Sequence, residues 1–390
     1  VILSPDQSLA LTKLEAAHRS QQVSVLTGPA GCGKTTLVRA LAESLRGRDI
    51  VYAAPTGKAA VRLRDVTGAD ASTLHSLLYP MVEEGPDGEL VFGGKKRRIS
   101  PNTTVIVDEA SMVDERLHSD ILAQLPTGAR LIYVGDREQL PPVKGEWGPN
   151  FSEPTAVLTE IHRQAQGNPI IAISARVRAG EDLPSDASGD AYNRSAGSVD
   201  AVARWLVEHL RRGIDAVVLA WRHQIRREIN RLCREKLGFT GGPVVVGDRL
   251  KVALNNDLLG RMNGEIVTVR EVASAVDGLR VAVVGPEGRE THALVAPRYV
   301  GGNVGPFRDF ASAWELRNPQ DPLGRKAWLH VDHGYALTVH ASQGSEFEAV
   351  AFVLDGATRD LRRRKPEDAR RLIYTAVTRA RSKLRVVDVA

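Results

Sequence analysis

The sequence predicts an α/β protein with two parallel-sheet domains and a smaller β module inserted in the second. Three observations carry this expectation. Apolar strand candidates alternate with helix-length segments through the first 180 residues and again after residue 215. A glycine-rich loop sits between a strand and a helix near the start. Three short strands separated by turns then interrupt the second α/β run. The chain has 390 residues, and at roughly 150 residues per domain that allows two or three domains. Its 43% hydrophobic and 25% charged residues exclude disorder as the main state. Two cysteines, Cys32 and Cys233, exclude a disulfide scaffold and a zinc centre made of cysteine alone, and suit a reducing cytoplasm. No apolar run reaches the ~18–20 residues that span a bilayer. The opening residues 1–6 lack a basic, apolar leader, so none is expected. A cytoplasmic protein with no membrane contact is the expectation. The net charge of +5 is compatible with a polyanionic partner.

The elements follow in order. Val23-Ser24-Val25-Leu26-Thr27 is a buried strand that runs into the glycine-rich turn, and a helix extends from Thr35 to about Arg46. Ile50 to Ala54 is a second strand, with Lys58 to Arg64 helical behind it. Val105-Ile106-Val107 and Leu131-Ile132-Tyr133-Val134 are further strands. Asp114 to Leu125 is helical, with Asp114 and Glu115 at the dipole's positive end. Strands separated by helices imply right-handed βαβ units and a mostly parallel sheet. Gly85-Pro86-Asp87-Gly88 is a turn between two short apolar runs, which predicts a β-hairpin inserted over about 79–99. Residues 184–199 are small and polar and read as a linker or mobile loop. Beyond it, Ala216 to Leu219 is a strand and Arg222 to Leu237 a helix. Arg249 to Val252, Glu265 to Val269 and Leu279 to Val284, with Asn-Gly, Asp-Gly and Pro-Glu-Gly turns, predict a small β-barrel. The α/β pattern returns with a strand over 350–354, a helix from Pro366 to Arg379 and a strand over 384–387.

Gly28-Pro29-Ala30-Gly31-Cys32-Gly33-Lys34-Thr35 fits G-x-x-x-x-G-K-[ST] in its required strand–loop–helix context. Its glycines let backbone N–H groups turn inward around phosphate, and the helix that opens at Thr35 and Thr36 adds positive dipole. Lys34 suits β/γ-phosphate charge and the Thr35 hydroxyl suits Mg²⁺. Val105-Ile106-Val107-Asp108-Glu109 ends a strand in two acids about 75 residues downstream. Asp108 is placed for the metal, and Glu109 for orienting a water toward the γ-phosphate. Gln139, in the loop Gly135 to Pro142 after the fourth strand, can touch both the γ-phosphate and a bound polymer. Together these residues imply nucleoside-triphosphate hydrolysis with Mg²⁺. Cys32 reads as a tolerated small residue of the loop.

At this point the chain resembles superfamily 1 DNA helicases, in the RecD-like and Dda-like branch. Ala54 to Ala60 resembles motif Ia, Ser72 to His75 motif Ib, and Asp108-Glu109-Ala110-Ser111-Met112 motif II. Gly135 to Pro142 resembles motif III, Leu158 to Arg163 motif IV, Tyr335 to Phe347 motif V and Tyr374 to Ala380 motif VI. The matches run in family order over nearly the whole chain. The resemblance implies ATP as nucleotide and Mg²⁺ as cofactor. It implies that Gln7 reads the adenine edge, that His162 lies beside the base, and that Glu346, with Gly344 nearby, accepts from the ribose. It brings Arg163 and Arg379 to the γ-phosphate, where a permanently charged, forked donor suits the task. It lines a strand-binding groove with Pro55, Thr56, Lys58, Thr73, His75, Thr338 and His340, residues suited to phosphate contacts that read no sequence.

The expected architecture is two RecA-like P-loop domains. The first covers 1–180 and carries the hairpin. The second covers 181–240 and 331–390, with an SH3-like module over 241–330. The expected partners are single-stranded DNA and duplex–single-strand junctions, bound by a monomer or a component of a larger assembly. The expected activity is 5′→3′ translocation with unwinding at the hairpin. An RNA helicase of the same superfamily, or an ATP-binding module without unwinding, would share the nucleotide motifs.

Overall fold

The computed structural model describes residues 2–79, 82–84, 90–92, 99–143, 145–161, 169–185, 189–256, 259–275, 278–297, 300–301 and 328–389. The chain forms two compact units, Val1–Gly167 and Asn168–Ala390.

The first unit opens with helix α1 (Pro5–Ser20), started by a reciprocal capping box. Ser4 Oγ accepts from Gln7 N, Gln7 Oε1 accepts from Ser4 N, and Pro5 occupies the first turn. Strand β1 (Val23–Thr27) is followed by helix α2 (Lys34–Ser44), and β2 (Asp49–Ala54) by α3 (Gly57–Thr67). Then come β3 (Ala71–Thr73), the short helix α4 (Leu74–Leu78), and β4 (Val82–Glu84) paired antiparallel with β5 (Leu90–Phe92). The remaining elements are β6 (Thr103–Val107), α5 (Glu115–Gln124), β7 (Arg130–Gly135) and β8 (Ala156–Val157). The main sheet has the order β3-β2-β6-β7-β1-β8, and all its pairings are parallel. Alternate residues of each central strand feed two cores. Val25, Val105, Val107, Leu131 and Tyr133 enter one, and Leu26, Ile106, Ile132 and Val134 the other. Both faces are therefore covered, as the near-continuous apolar strands require.

The second unit begins with α6 (Pro169–Arg178), then β9 (Tyr192–Gly197), α7 (Val199–Arg211), β10 (Ala216–Ala220) and α8 (His223–Leu237). Four strands follow, β11 (Arg249–Val252), β12 (Ile266–Ala275), β13 (Gly278–Val284) and β14 (Glu290–Val295). The last elements are β15 (Val331–His333), β16 (Ala336–Thr338), β17 (Phe347–Leu354), α9 (Gly356–Arg364), α10 (Pro366–Val377) and β18 (Ala380–Val389). A parallel sheet has the order β16-β10-β17-β18-β9. An antiparallel sheet has the order β14-β13-β12-β11-β15, with its own apolar core of Val252, Val267, Val281, Val283 and Val295. Two ion pairs fasten this sheet to α8: Arg234 to the fully buried Asp248 at 3.0 Å, and Arg226 to Asp332 at 2.5 Å.

Three features differ from the sequence expectation. Helix α6 belongs to the second unit, because Arg370 on α10 donates to Arg178 O at 3.2 Å and α6 packs along that helix. Residues 192–197 are no linker but an edge strand parallel to β18, pinned by Arg194 to Asp388 at 2.9 Å. The antiparallel sheet recruits β15, so it runs past residue 330. The expected hairpin turn, Gly85 to Gly88, lies outside the described residues.

Candidate nucleotide site and nucleic-acid interface

In a parallel α/β sheet, loops at the carboxyl ends of the strands gather ligand-binding groups. The loop after β1 carries the P-loop. Gly28 N donates to Gly135 O at 3.2 Å, and Arg137 N to Thr27 Oγ1 at 3.4 Å. These bonds join the P-loop strand to the loop bearing Gln139. A Cβ at Gly28 would lie 2.7 Å from Cys32 Sγ and 2.9 Å from Leu158 Cβ, so the loop closes only on glycine. Gly33 has φ +78, and a Cβ there would collide with Gln7 Nε2. Pro29, Ala30 and Gly31 complete the turn, and Thr35 and Thr36 follow Lys34 in the first turn of α2. Lys34 Nζ donates to Gly28 O and Pro29 O, both at 2.9 Å, which holds the ammonium over the loop. Cys32 is fully buried, and burial pushes its thiol up, so the thiolate is disfavoured.

Gln7 reaches the same loop from α1. Its amide nitrogen donates to Cys32 O at 3.3 Å and Gly33 O at 3.5 Å, and the side chain is buried.

The two acids sit past the end of β6, where Asp108 N donates to Ala53 O. Asp108 Oδ1 accepts from Glu109 N at 2.9 Å. Burial, and then the neighbouring Glu109, push the Asp108 carboxyl up to about 6, while Lys34 pulls it the other way. Glu109 has φ 51, the single positive-φ non-glycine among the described residues. A left-handed residue of this type costs roughly 1–3 kcal/mol and is held by its surroundings. Here Glu109 caps the 3₁₀ turn Ala110–Met112. Gln139 is buried, and its Oε1 has no hydrogen-bond partner; neither has the buried Ser111 Oγ. Orphaned acceptors of this kind cost about 1–3 kcal/mol unless a ligand satisfies them.

No cluster of three or more His, Cys, Asp or Glu among the described residues could hold a metal on its own. Mg²⁺ keeps several non-protein oxygens and suits one or two side chains plus phosphate. Thr35 and Asp108 fit that pattern.

The second unit holds Arg379 between the end of α10 and the start of β18. It is 3% exposed, and its guanidinium donates to Thr375 O, Ser345 O and Thr378 Oγ1 at 3.0–3.1 Å. Phe347 N donates to Arg379 O at 2.8 Å. The segment Gly344, Ser345 and Glu346 is thereby brought against Arg379, uniting the regions resembling motifs V and VI. His162 and Arg163 lie outside the described residues.

The groove candidates fall at strand ends as well. Register pairing of Ala54 with Thr73 sets Pro55, Thr56 and Lys58 beside Thr73 and His75. Thr56 Oγ1 accepts from Ala59 N, Thr73 Oγ1 from Ser76 N and Thr338 Oγ1 from Ala341 N. Each hydroxyl thus also caps a turn, a local role that sequence reading missed. His75 is exposed, with its ring 5.5 Å from that of Tyr79. His340 is half-buried; burial first, then His223, lower its pKa and favour the neutral ring.

Residues 2–203 match the AAA domain family, and residues 333–387 match the UvrD-like helicase C-terminal domain. An ATP-dependent RecD2 DNA helicase of Deinococcus radiodurans is 34% identical over 397 residues, which is 98% of this chain and 48% of that protein. The chain belongs to the AAA domain family and resembles RecD-like superfamily 1 helicases. A RecBCD enzyme subunit RecD of Mycolicibacterium smegmatis is 28% identical over 438 residues, covering 94% of this RecD-like chain and 68% of the subunit. The RecD-like chain thus spans about half the length of the RecD2 relative. A Pif1 helicase of Bacteroides, solved with ADP-AlF3 and single-stranded DNA, superposes with TM-score 0.59 at 19% identity over 99% of this chain and 92% of that one. That likeness shows a shared fold. No helix among the described residues is long and apolar enough to cross a membrane.

Proposed function

We propose that this chain is the motor of an ATP-dependent DNA helicase that moves 5′→3′ along one strand. The observation that carries the reading is the constellation at the first sheet's edge. Lys34, Asp108, a strained Glu109 and the unsatisfied Gln139 Oε1 converge on one loop cluster. Strained backbone and unpaired buried acceptors persist where function holds them.

In this reading Lys34 and the P-loop amides bind the β- and γ-phosphates, and Thr35 and Asp108 hold Mg²⁺, which would neutralise phosphate charge. Glu109 orients the attacking water and Gln139 contacts the γ-phosphate. Gln7, His162, Gly344 and Glu346 bind the nucleoside. Arg163 and Arg379 stabilise charge as the phosphoryl group transfers. The threonines, Pro55, Lys58, His75 and His340 hold the DNA backbone. The antiparallel sheet of the second unit is an SH3-like module, and the β4–β5 pair belongs to a wedge that splits the fork. The names of the RecD2 and RecD relatives support DNA as substrate, with a monomer or a subunit of a larger assembly as the working form.

The test uses one preparation. Single-stranded DNA should stimulate phosphate release more than RNA of matched sequence. Replacing residues 82–92 by a short Gly-Ser turn should leave that stimulation intact and abolish strand separation. Each base-pair step holds about 1.4 kcal/mol of stacking, and a motor without an obstacle does not split it. Retained unwinding would place the wedge elsewhere. RNA stimulation equal to that by DNA would favour the RNA-helicase reading.

A further inference from the structure

The turn that follows Glu109 is held from outside by residues 146–148. Within the 3₁₀ turn, Met112 N donates to Glu109 O and Val113 N to Ala110 O, both at 3.1 Å. Ser111 O is taken by the indole of Trp147, whose Nε1 donates to it at 3.0 Å. Two backbone bonds continue the contact: Gly148 N donates to Val113 O at 3.1 Å, and Glu115 N to Glu146 O at 3.2 Å. The indole is itself fixed, with the ring of the buried Phe151 edge-on at 5.8 Å. A Cβ at Gly148 would lie 2.3 Å from His118 Cβ and 2.6 Å from Asp114 O, so only glycine lets the two segments approach this closely. Phe151 also closes on Gly135, where a Cβ would lie 2.9 Å from its ring and 3.1 Å from Ser111 N.

We infer that Trp147 is a positioning residue for turnover: its indole N–H holds the strained Glu109 turn in the shape that aims the carboxylate. This deepens the ATPase reading above and rests on it, since there Glu109 orients the attacking water. Glu109 sits at φ 51, a conformation that persists only when its surroundings over-determine it. Ser111 lies two residues further on and is fully buried, so its carbonyl relies on a protein donor. Taking that donor away leaves a buried carbonyl unpaired and frees the turn to relax out of the left-handed shape at Glu109. A tryptophan kept only for packing would need its rings and not this bond. Phenylalanine tells the two roles apart, because it keeps an aromatic ring beside Phe151 and carries no N–H donor.

The test is a double-mutant cycle of Trp147→Phe and Glu109→Gln on DNA-stimulated ATPase. A displacement of about 1 Å at a reacting group can cost on the order of 10²-fold. Trp147→Phe should therefore lower kcat about 10- to 100-fold, with KM and the affinity for a non-hydrolysable analogue within a few-fold of wild type. In a Glu109→Gln background, Trp147→Phe should change the residual rate little, because the carboxylate it positions is gone. If Trp147→Phe is too unstable to assay, Phe151→Leu runs the same cycle, since it keeps the N–H and removes the ring that fixes the indole. A wild-type kcat in Trp147→Phe, losses that multiply across the cycle, or an affinity loss as large as the rate loss would overturn the inference while leaving the ATPase reading intact. A Glu109→Gln variant with normal turnover would remove the role of Glu109, and the inference with it.

Discussion

Glu109→Gln should stop ATP turnover while nucleotide and DNA still bind. The amide matches the carboxylate in shape but cannot accept a proton or orient water as an anion does. Base and positioning effects of this kind are worth roughly 10²–10⁴-fold. The backbone around the residue gives the expectation its sharpness. Glu109 is held at φ 51 as the cap of a 3₁₀ turn, with its N–H bonded to Asp108. Glutamine keeps that N–H and meets the same backbone demand, so the loop and Asp108 should stay in place. Steady-state phosphate release, measured beside binding of a fluorescent nucleotide and of labelled DNA, separates the two effects. Turnover within a few-fold of wild type would remove Glu109 from the chemistry.

Arg379→Ala should cost more still, about 10³–10⁵ in rate if the guanidinium meets the transferring phosphoryl group. The arginine is also part of its own unit's packing. Removing it takes a donor from Thr375 O, Ser345 O and Thr378 Oγ1. Thr378 Oγ1 still donates to Thr375 O at 3.0 Å, so Ser345 O is the acceptor left without this donor; one such buried group costs about 1–3 kcal/mol, and the alanine variant should also melt earlier. Arg379→Lys separates the two contributions. Lysine keeps the charge but loses the planar fork, and should remain slow even where stability returns. The measurement is kcat at saturating DNA, with melting temperature and analogue affinity on the same samples. Weakened analogue binding with near-normal turnover would assign Arg379 to a ground-state contact.

Much of the first unit is legible because its chemistry is local. Strands such as Val105–Val107 and Leu131–Val134 are apolar on both faces since both faces are covered. The P-loop glycines announce themselves by the backbone shapes they permit. Other features were hidden for physical reasons. Residues 192–197, Tyr-Asn-Arg-Ser-Ala-Gly, contain none of the β-branched residues that mark a strand, and form one through pairing with β18. The positive φ of Glu109 has no sequence signal, because only the surrounding fold imposes it. Helix α1 could have been read: Ser4 followed three residues later by Gln7 is a capping box. What Gln7 grips could not, because its partners lie far along the chain. The bonds of Arg379 to motif-V and helix-end oxygens were likewise invisible in sequence, where it is one arginine among many.

The most direct test of the motor reading is strand separation on two substrates with the same duplex, one tailed at its 5′ end and one at its 3′ end. With ATP and Mg²⁺, the 5′-tailed duplex should open and the 3′-tailed duplex should not, and a non-hydrolysable analogue should support neither. Preference for the 3′ tail would contradict the proposed direction, and DNA-stimulated phosphate release with no strand separation on either substrate would contradict the helicase assignment itself.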